Sequence, residues 1–398
     1  MWLLDQDQAF KQGYALWSSE GSGGFRSSFV NNGMTNNFLF GGKLDPVNIS
    51  DLVENLDPLN RSGANLTFQS TFYAFADSVF GNSDWGWQMT LGSNTELGVV
   101  HSRDMFQLLF QGNKPFAGAS ADISDLSIEL ISYQQFGVGL FHKPTMSGFT
   151  TSLIVGQQLQ NLSLREGAFF TSALGDSLHL AAKGTWQYSD STRTKLGSGN
   201  GFGIALNGIW NLPLPEHKGN FSIEIHDMGL VFWNKRSATY NIDAEASFTG
   251  VDLNEMLDSE DYAWGAEELA DSLNLQPKYN SFSSTLPGWG RVKFMKKVNQ
   301  RNVFELGITV KPQLAHVPQL HGGYFQYVNP NTLIGATFDV GGYGNFRVGA
   351  ELEKWVGERL FIKIGTDDLA GLVLDDLKGR ALFVQTAFII NRLDDRHP

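Results

Sequence analysis

The sequence predicts an all-β protein, a single closed antiparallel transmembrane β-barrel of about 14 strands with short helical excursions. Three observations carry this expectation. Apolar and polar residues alternate with period two from one end of the chain to the other. Aromatic residues cluster at the ends of the alternating segments. No run of about 18 apolar residues occurs that would make a spanning helix, and a membrane protein without such helices closes its strands into a barrel.

The alternation is visible segment by segment. In 177–188, Leu178, Leu180, Ala182, Gly184, Trp186 and Tyr188 share one face, while Ser177, His179, Lys183, Thr185 and Gln187 share the other. Leu66, Phe68 and Phe72 alternate with Asn65, Thr67, Gln69 and Thr71. Trp85, Trp87, Met89 and Leu91 follow the same rule, as do Phe221, Ile223 and Ile225 against Ser222, Glu224 and His226. Further runs are Phe304, Leu306, Ile308 and Val310, then Val348, Ala350 and Leu352, then Leu382, Val384, Phe388 and Ile390. A soluble sandwich or propeller would also alternate, with its apolar face turned to a core. Bulky polar faces with charges of both signs favour a wet lumen instead. Aromatics at segment ends, such as Trp186, Tyr188, Trp85, Trp87, Phe38, Phe40 and Trp355, suit interfacial girdles.

Candidate strands fall at 25–39, 63–73, 85–96, 127–141, 148–158, 177–188, 201–212, 219–232, 237–248, 281–297, 301–311, 321–329, 331–340, 344–356, 360–366 and 380–391. Fusion of some gives the estimate of 14. The organisation expected is an N-terminal segment 1–24, a barrel 25–392 and a C-terminal tail 393–398. Three stretches break the pattern. Val47–Asn60 has helical spacing after Pro46, Ser102–Gln111 opens on a capping serine, and Asp252–Leu275 is acidic with helical spacing. Such helices either cover an opening of a barrel or form surface excursions of long loops. Thr192–Gly201 reads as an exposed Gly/Ser-rich loop.

Composition narrows the function classes. The 398 residues hold 29 Lys+Arg against 41 Asp+Glu, a net charge of −12, with no cysteine, 44 Gly and 30 Phe. So aromatic a chain is not disordered. Absence of Cys removes disulfides and thiolate metal sites, and the acidic balance argues against a nucleic-acid partner. Met1–Leu4 is too short for the apolar core of a signal peptide, so the chain is either cytoplasmic or a mature or trimmed form; with the barrel reading, the expected localisation is the cell outer membrane with the signal peptide absent from this chain.

No catalytic, cofactor or metal motif emerges. Gly341–Phe346 is glycine-rich but lies between two alternating strands, which reads as a tight turn rather than a phosphate cradle. His316 and His321 flank Pro318 with no carboxylate beside them, and Asp367-Asp368 and Asp375-Asp376 read as loop charge. His226-Asp227 suggests acid/base work but has no identifiable third partner, and a strand end with a bulge at Gly229 accounts for it structurally. The alternation assigns His179, Lys183, Glu224, His226, Arg347, Glu351, Glu353 and Lys363 to the lumen. There they either pair with one another or set selectivity, and their near balance of sign favours pairing. Met105, Phe106 and Phe110 form a candidate hydrophobic gate.

The string Asp227–Asn234, DMGLVFWN, resembles the segment DLGFIRWN of an uncharacterised family of Bacteroidetes outer-membrane β-barrel proteins, distantly similar to the long-chain fatty-acid transporter type. Ser102–Asn113, Phe248–Asn254, Ser281–Pro287 and Val340–Phe346 resemble further pieces of that family in the same order. The resemblance implies an exported outer-membrane barrel and carries over no activity, cofactor or functional residue. The charged tail Asn391–Pro398 departs from the family pattern.

The function expected is a structural or accessory subunit of a larger envelope assembly for secretion or motility, without enzymatic activity. Its partners would be the lipid bilayer and other envelope proteins. The alternative is a passive or gated channel or transporter for a hydrophobic or small solute. A barrel enzyme starting from His226 and Asp227 is the third reading.

Overall fold

A computed structural model describes residues 13–41, 46–190, 199–214, 219–249, 275–312 and 315–391. In chain order, β1 (Gly13–Ser27) leads to α1 (Asn32–Phe40) and α2 (Pro46–Glu54). Next come β2 (Leu59–Ala74), β3 (Trp85–Ser102), α3 (Arg103–Gln111) and β4 (Ala119–Asp122). They are followed by β5 (Ser127–His142), β6 (Ser147–Thr171), β7 (Ser177–Tyr188), β8 (Gly201–Leu214), β9 (Gly219–Trp233) and β10 (Ala238–Thr249). After β11 (Lys278–Tyr279) and β12 (Ser283–Thr285) come β13 (Trp289–Lys297), β14 (Asn302–Val310), β15 (Val317–Asn329) and β16 (Thr332–Gly342). The chain ends in β17 (Gly344–Val356), β18 (Leu360–Thr366) and β19 (Gly379–Asn391).

Fourteen of these strands close a ring. Each pairs antiparallel with the next in the order β1, β2, β3, β5, β6, β8, β9, β13 to β19, and β19 returns to β1 through Gly13↔Asn391 to Arg26↔Gly379. Closure removes every free edge, as a lipid environment demands of a sheet. One end of the ring carries short connections such as 143–146, 298–301, 330–331 and 357–359. The other carries the helices and the long excursions. That asymmetry is the one outer-membrane barrels show between periplasmic turns and outer loops.

The wall is turned inside out relative to a soluble barrel. Leu66, Leu91, Leu153, Ile204, Leu206, Leu306 and Leu382 are more than half exposed on the outside, while Thr71, Thr90, Ser152, Asn211 and Ser222 are buried inside. At the short-turn end the outward side chains become aromatic, with Trp17 facing Phe72 and Phe388 across its two ladders and Phe304 beside Tyr324. At the long-loop end Phe202 pairs with Phe232. These are two aromatic girdles around an apolar belt, the surface of a membrane-embedded barrel. Among the described residues no helix is long and apolar enough to cross a membrane.

Several local expectations change. The ring closes on β1, so the barrel begins at Gly13 rather than residue 25. The strand expected at 25–39 is instead the end of β1 and the helix α1. The Asn31 side chain accepts from the Met34 amide at 2.8 Å, which caps α1, and Gly41 ends it at φ 77. Segments 177–188 and 237–248 are strands outside the ring. β10 pairs with β7, and β7 with the upper half of β6, where β4 also attaches, so a sheet rises beyond the long-loop rim. The expected helix 252–275 lies outside the described residues except Leu275, as does most of 192–201. The helices expected at 47–60 and 102–111 are α2 and α3, the latter capped by the Ser102 hydroxyl on the Met105 amide at 3.0 Å.

Candidate functional site

Strand alternation directs every second side chain of a 14-stranded ring inward, and these make three zones. At the short-turn end the zone is apolar on one side. Leu16, Val303, Phe325, Leu333, Phe361, Ala387 and Ile389 form one buried cluster joined by Tyr73, Phe75, Tyr327 and Trp355. Phe141 of β5 continues it edge-on to Tyr73 and Phe75, each at 5.2 Å. This apolar cluster covers the β14–β5 side of that end, while Ser147, Asn211, Asn220 and Ser222 line the β6–β9 side with hydrogen bonds.

The middle zone is a belt of paired charge. Lys363 lies 2.6 Å from Glu351 and 3.3 Å from Glu353. Lys293 stands 3.7 Å from both Glu224 and Glu305, Arg291 is 3.9 Å from Glu224, and His321 is 3.8 Å from Glu305. Lys311 meets Glu96 at 2.5 Å. Between them run neutral bonds such as Gln88 to Thr150 at 2.7 Å and Ser222 to Asn211 at 2.8 Å. The belt is self-neutralising, which stabilises buried charge only because each member is paired.

The third zone lies where the wall is interrupted. The bulge sits in β9 between Leu206↔Met228 and Gly208↔Ile225, so Asn207 of β8 faces both His226 and Asp227. It lies two residues before the Gly229 expected from sequence. Asp227 takes the left-handed conformation, φ 52, and its amide donates to the Asn207 side chain at 2.8 Å in place of a ladder partner. On the other flank of β9, β12 stops at Thr285↔Leu230 and β13 resumes at Trp289↔His226 in the same register. Pro287 lies between them and has no amide hydrogen to donate. Ladder pairing therefore lapses at His226–Asp227 on the β8 flank and at Asp227–Met228 on the other, where the Leu286 amide still donates to the Gly229 carbonyl at 3.0 Å.

Inside this interruption the lining is apolar. Ile131, Tyr133, Ile154, Leu159, Ala205, Val231, Trp233 and Leu286 are buried together. Outside it, Leu206, Met228 and Leu230 are exposed in the belt. The Asp227 carboxylate accepts from the Tyr133 hydroxyl at 2.7 Å and from the Asn94 amide at 3.5 Å. His226 stacks on Trp289 with centroids 4.1 Å apart. The two adjacent side chains thus have separate partners and do not form an acid/base pair.

Of the residues assigned to the lumen from sequence, Glu224, Glu351, Glu353 and Lys363 stand in the charged belt, and Arg347 lies inside near the long-loop mouth. His179 and Lys183 are on β7, outside the ring. His179 meets Ser247, and Lys183, 60% exposed, faces Glu166. Alternation gave these two a face but not the compartment it opens on. Met105, Phe106 and Phe110 lie on α3 at the rim, and the two phenylalanines join a cluster with α1 and α2. Phe106 packs there against Phe29 and Phe110, on the β1–β3 side rather than at β9. The belt also contains Lys293, Glu305, Lys311 and Glu96. Glu305 was legible between Phe304 and Leu306, whereas Lys311 follows the last ladder residue and carries no periodic signal.

Residues 21–353 match the family of unknown function DUF5723. The chain belongs to that family. Among curated proteins none matches the sequence. Among solved structures the chain is similar to the toluene transporter TbuX of Ralstonia pickettii, with 7% identity and a TM-score of 0.44 over 96% of this chain and 91% of that one. It is also similar to the toluene transporter TodX of Pseudomonas putida, with 8% identity and a TM-score of 0.36 over 94% and 87%. The β domain of the Bordetella autotransporter BrkA gives 8% identity and a TM-score of 0.35 over 95% and 100%. Among the described residues no group of three or more His, Cys, Asp or Glu could hold a metal ion.

Proposed function

We propose that this DUF5723 protein is an outer-membrane route for a small hydrophobic solute, which leaves the lumen sideways through the wall beside β9. The observation that carries this reading is the coincidence of three features at one level. Ladder pairing lapses on both flanks of Asp227, an apolar cluster lines the inside, and apolar side chains face lipid outside. The axial exit supports the same reading from the other direction, because a packed apolar cluster narrows much of it. A solute crossing between Leu286 and Met228 exchanges one apolar environment for another, so the step costs little desolvation. The reading contains no catalytic step. It replaces the accessory-subunit expectation, which no surface feature described above supports.

The chain has no cysteine, so a disulfide lock can be placed on a clean background. Thr285 and Leu230 are direct ladder partners on the lipid face beside the interruption. Cells bearing Thr285→Cys with Leu230→Cys should take up toluene at the wild-type rate when reduced and at the rate of barrel-free cells when oxidised. Uptake insensitive to the lock, or no faster than in cells without the barrel, would rule the route out. Recovery of the wild-type protein only in a stoichiometric envelope complex would restore the subunit reading.

A further inference from the structure

At the long-loop mouth, on the opposite side of the ring from β9, the turn Gly341–Gly344 joins β16 to β17. Gly341 and Gly342 adopt φ 101 and 73, which is the left-handed region glycine occupies freely. Beneath this turn lies Arg347, 6% exposed, and none of its three guanidinium nitrogens has a hydrogen-bond partner. Three other buried polar atoms in the same place are also unpartnered: the Tyr343 hydroxyl, His316 Nδ1 and Arg26 Nε. They converge. A Cβ added at Gly342 would stand 3.2 Å from His316 Nε2, 3.3 Å from Gln319 Oε1 and 3.7 Å from an Arg347 nitrogen. One added at Gly344 would be 3.0 Å from the other terminal nitrogen of Arg347. The His316 and Tyr343 rings meet edge-on at 5.1 Å.

The acids nearby are already engaged. Asp339, which faces Arg347 across the ladder, accepts from Gln319 at 2.6 Å. Asp367 pairs with Arg26, and Asp368 accepts from the Gly371 amide at 2.8 Å. A buried guanidinium with all its donors idle is rare in folded proteins, because each idle donor forfeits its bonds to water without replacement. The missing partner must supply acceptor oxygens, and a planar carboxylate matches the guanidinium fork.

We propose that the turn Gly341–Gly344, with Arg347, Tyr343 and His316, is a binding site for a monocarboxylate at the mouth of the lumen. Arg347 and Arg26 share their surroundings with Asp339, Asp367 and Asp368, so the site has no positive charge to spare for a phosphate dianion, and a monoanion is the most it accepts. Burial holds His316 near a pKa of about 4, so at neutral pH it contributes a hydrogen bond and no second charge. The site is independent of the interruption at β9. A barrel locked at Leu230 and Thr285 should bind as the open one does.

The test uses the full chain folded in detergent, with 13C-acetate followed by NMR at constant ionic strength and acetamide and inorganic phosphate as rivals. Acetate should bind, acetamide and phosphate should bind at least tenfold more weakly, and Arg347→Gln should lower acetate affinity at least tenfold. Tyr343→Phe should lower it severalfold, and it reports on the site if the arginine variant fails to fold. Equal binding of acetate and acetamide, preference for phosphate, unchanged acetate affinity in both variants, or no acetate binding with water alone meeting Arg347 would each overturn the assignment.

Discussion

The Tyr133 hydroxyl on β5 donates to the Asp227 carboxylate on β9 at 2.7 Å, although β6 and β8 separate these strands in the ring. The bond therefore crosses the interior and ties the bulged part of the wall to the opposite side of the apolar cluster. It also gives the inward-turned carboxylate a donor where the ladder offers none.

Tyr133→Phe removes that donor and leaves a buried carboxylate short of a partner, a loss of about 1–3 kcal/mol. Urea unfolding in detergent should show this destabilisation, and hydrogen exchange of the Met228 and Gly229 amides should accelerate. Unchanged exchange there would mean that the bond does not hold the bulge.

Lys363 serves two carboxylates at once, and Glu353 is fully buried. Lys363→Met strands both and should cost about 3–5 kcal/mol. Glu353→Gln, which leaves Lys363 its bond to Glu351, should cost clearly less. Guanidinium unfolding of the two variants in the same micelle would reveal their order.

The apolar belt and the rising sheet should respond oppositely to charge. Leu306→Arg, on the outer face of β14, should destabilise the barrel in lipid by about 2–4 kcal/mol if it sits near the midplane. Thr185→Arg on β7, also exposed but outside the ring, should be neutral within about 0.5 kcal/mol. Equal costs would contradict the placement of β7 beyond the membrane.

His316 is a base whose pKa is depressed, to about 4, first by burial and then by the charges of Lys311, Arg26 and Arg347. Above pH 6.5 it is neutral in both folded and unfolded chains and adds nothing to the pH dependence. As the pH falls from 6.5 towards 4, the unfolded chain takes up the proton and the folded one does not, so stability declines. Allowing for partial exposure, the decline is on the order of 1–2 kcal/mol. Unfolding curves of the wild type and of His316→Asn between pH 7 and 4 should diverge by that amount, with the variant flatter.

Period two made the barrel legible because a lipid-facing wall and a polar interior impose it on each strand of the ring. It failed at β1, where Gly21, Gly23 and Gly24 replace side chains that would mark the faces. It misassigned 177–188 for a different reason. Alternation reports that one face is apolar, and the face of β7 carrying Trp186 and Tyr188 packs against Tyr240 of β10 instead of lipid. The charged belt was half legible, since Glu224, Glu351, Glu353 and Lys363 alternate cleanly. The interruption at β9 was visible only as the pair His226-Asp227. Its partners Tyr133, Asn94, Asn207 and Pro287 are distant in sequence and meet only once the ring is closed.

β6 runs unbroken for 25 residues, about 80 Å at ordinary strand rise. Its first part is wall, bonded to β8 through Gly148–Gly156, and its last part belongs to the raised sheet, bonded to β7 through Gln160–Thr171. Only a one-residue bulge at Gln157 lies between the two, and β6 stays paired with β5 on both sides of it. A pull or twist applied to the sheet would travel down this one strand and load the rungs it shares with β5 and β8 in shear. The raised sheet is thus a mast stepped into the hull, and whatever grips it grips the barrel.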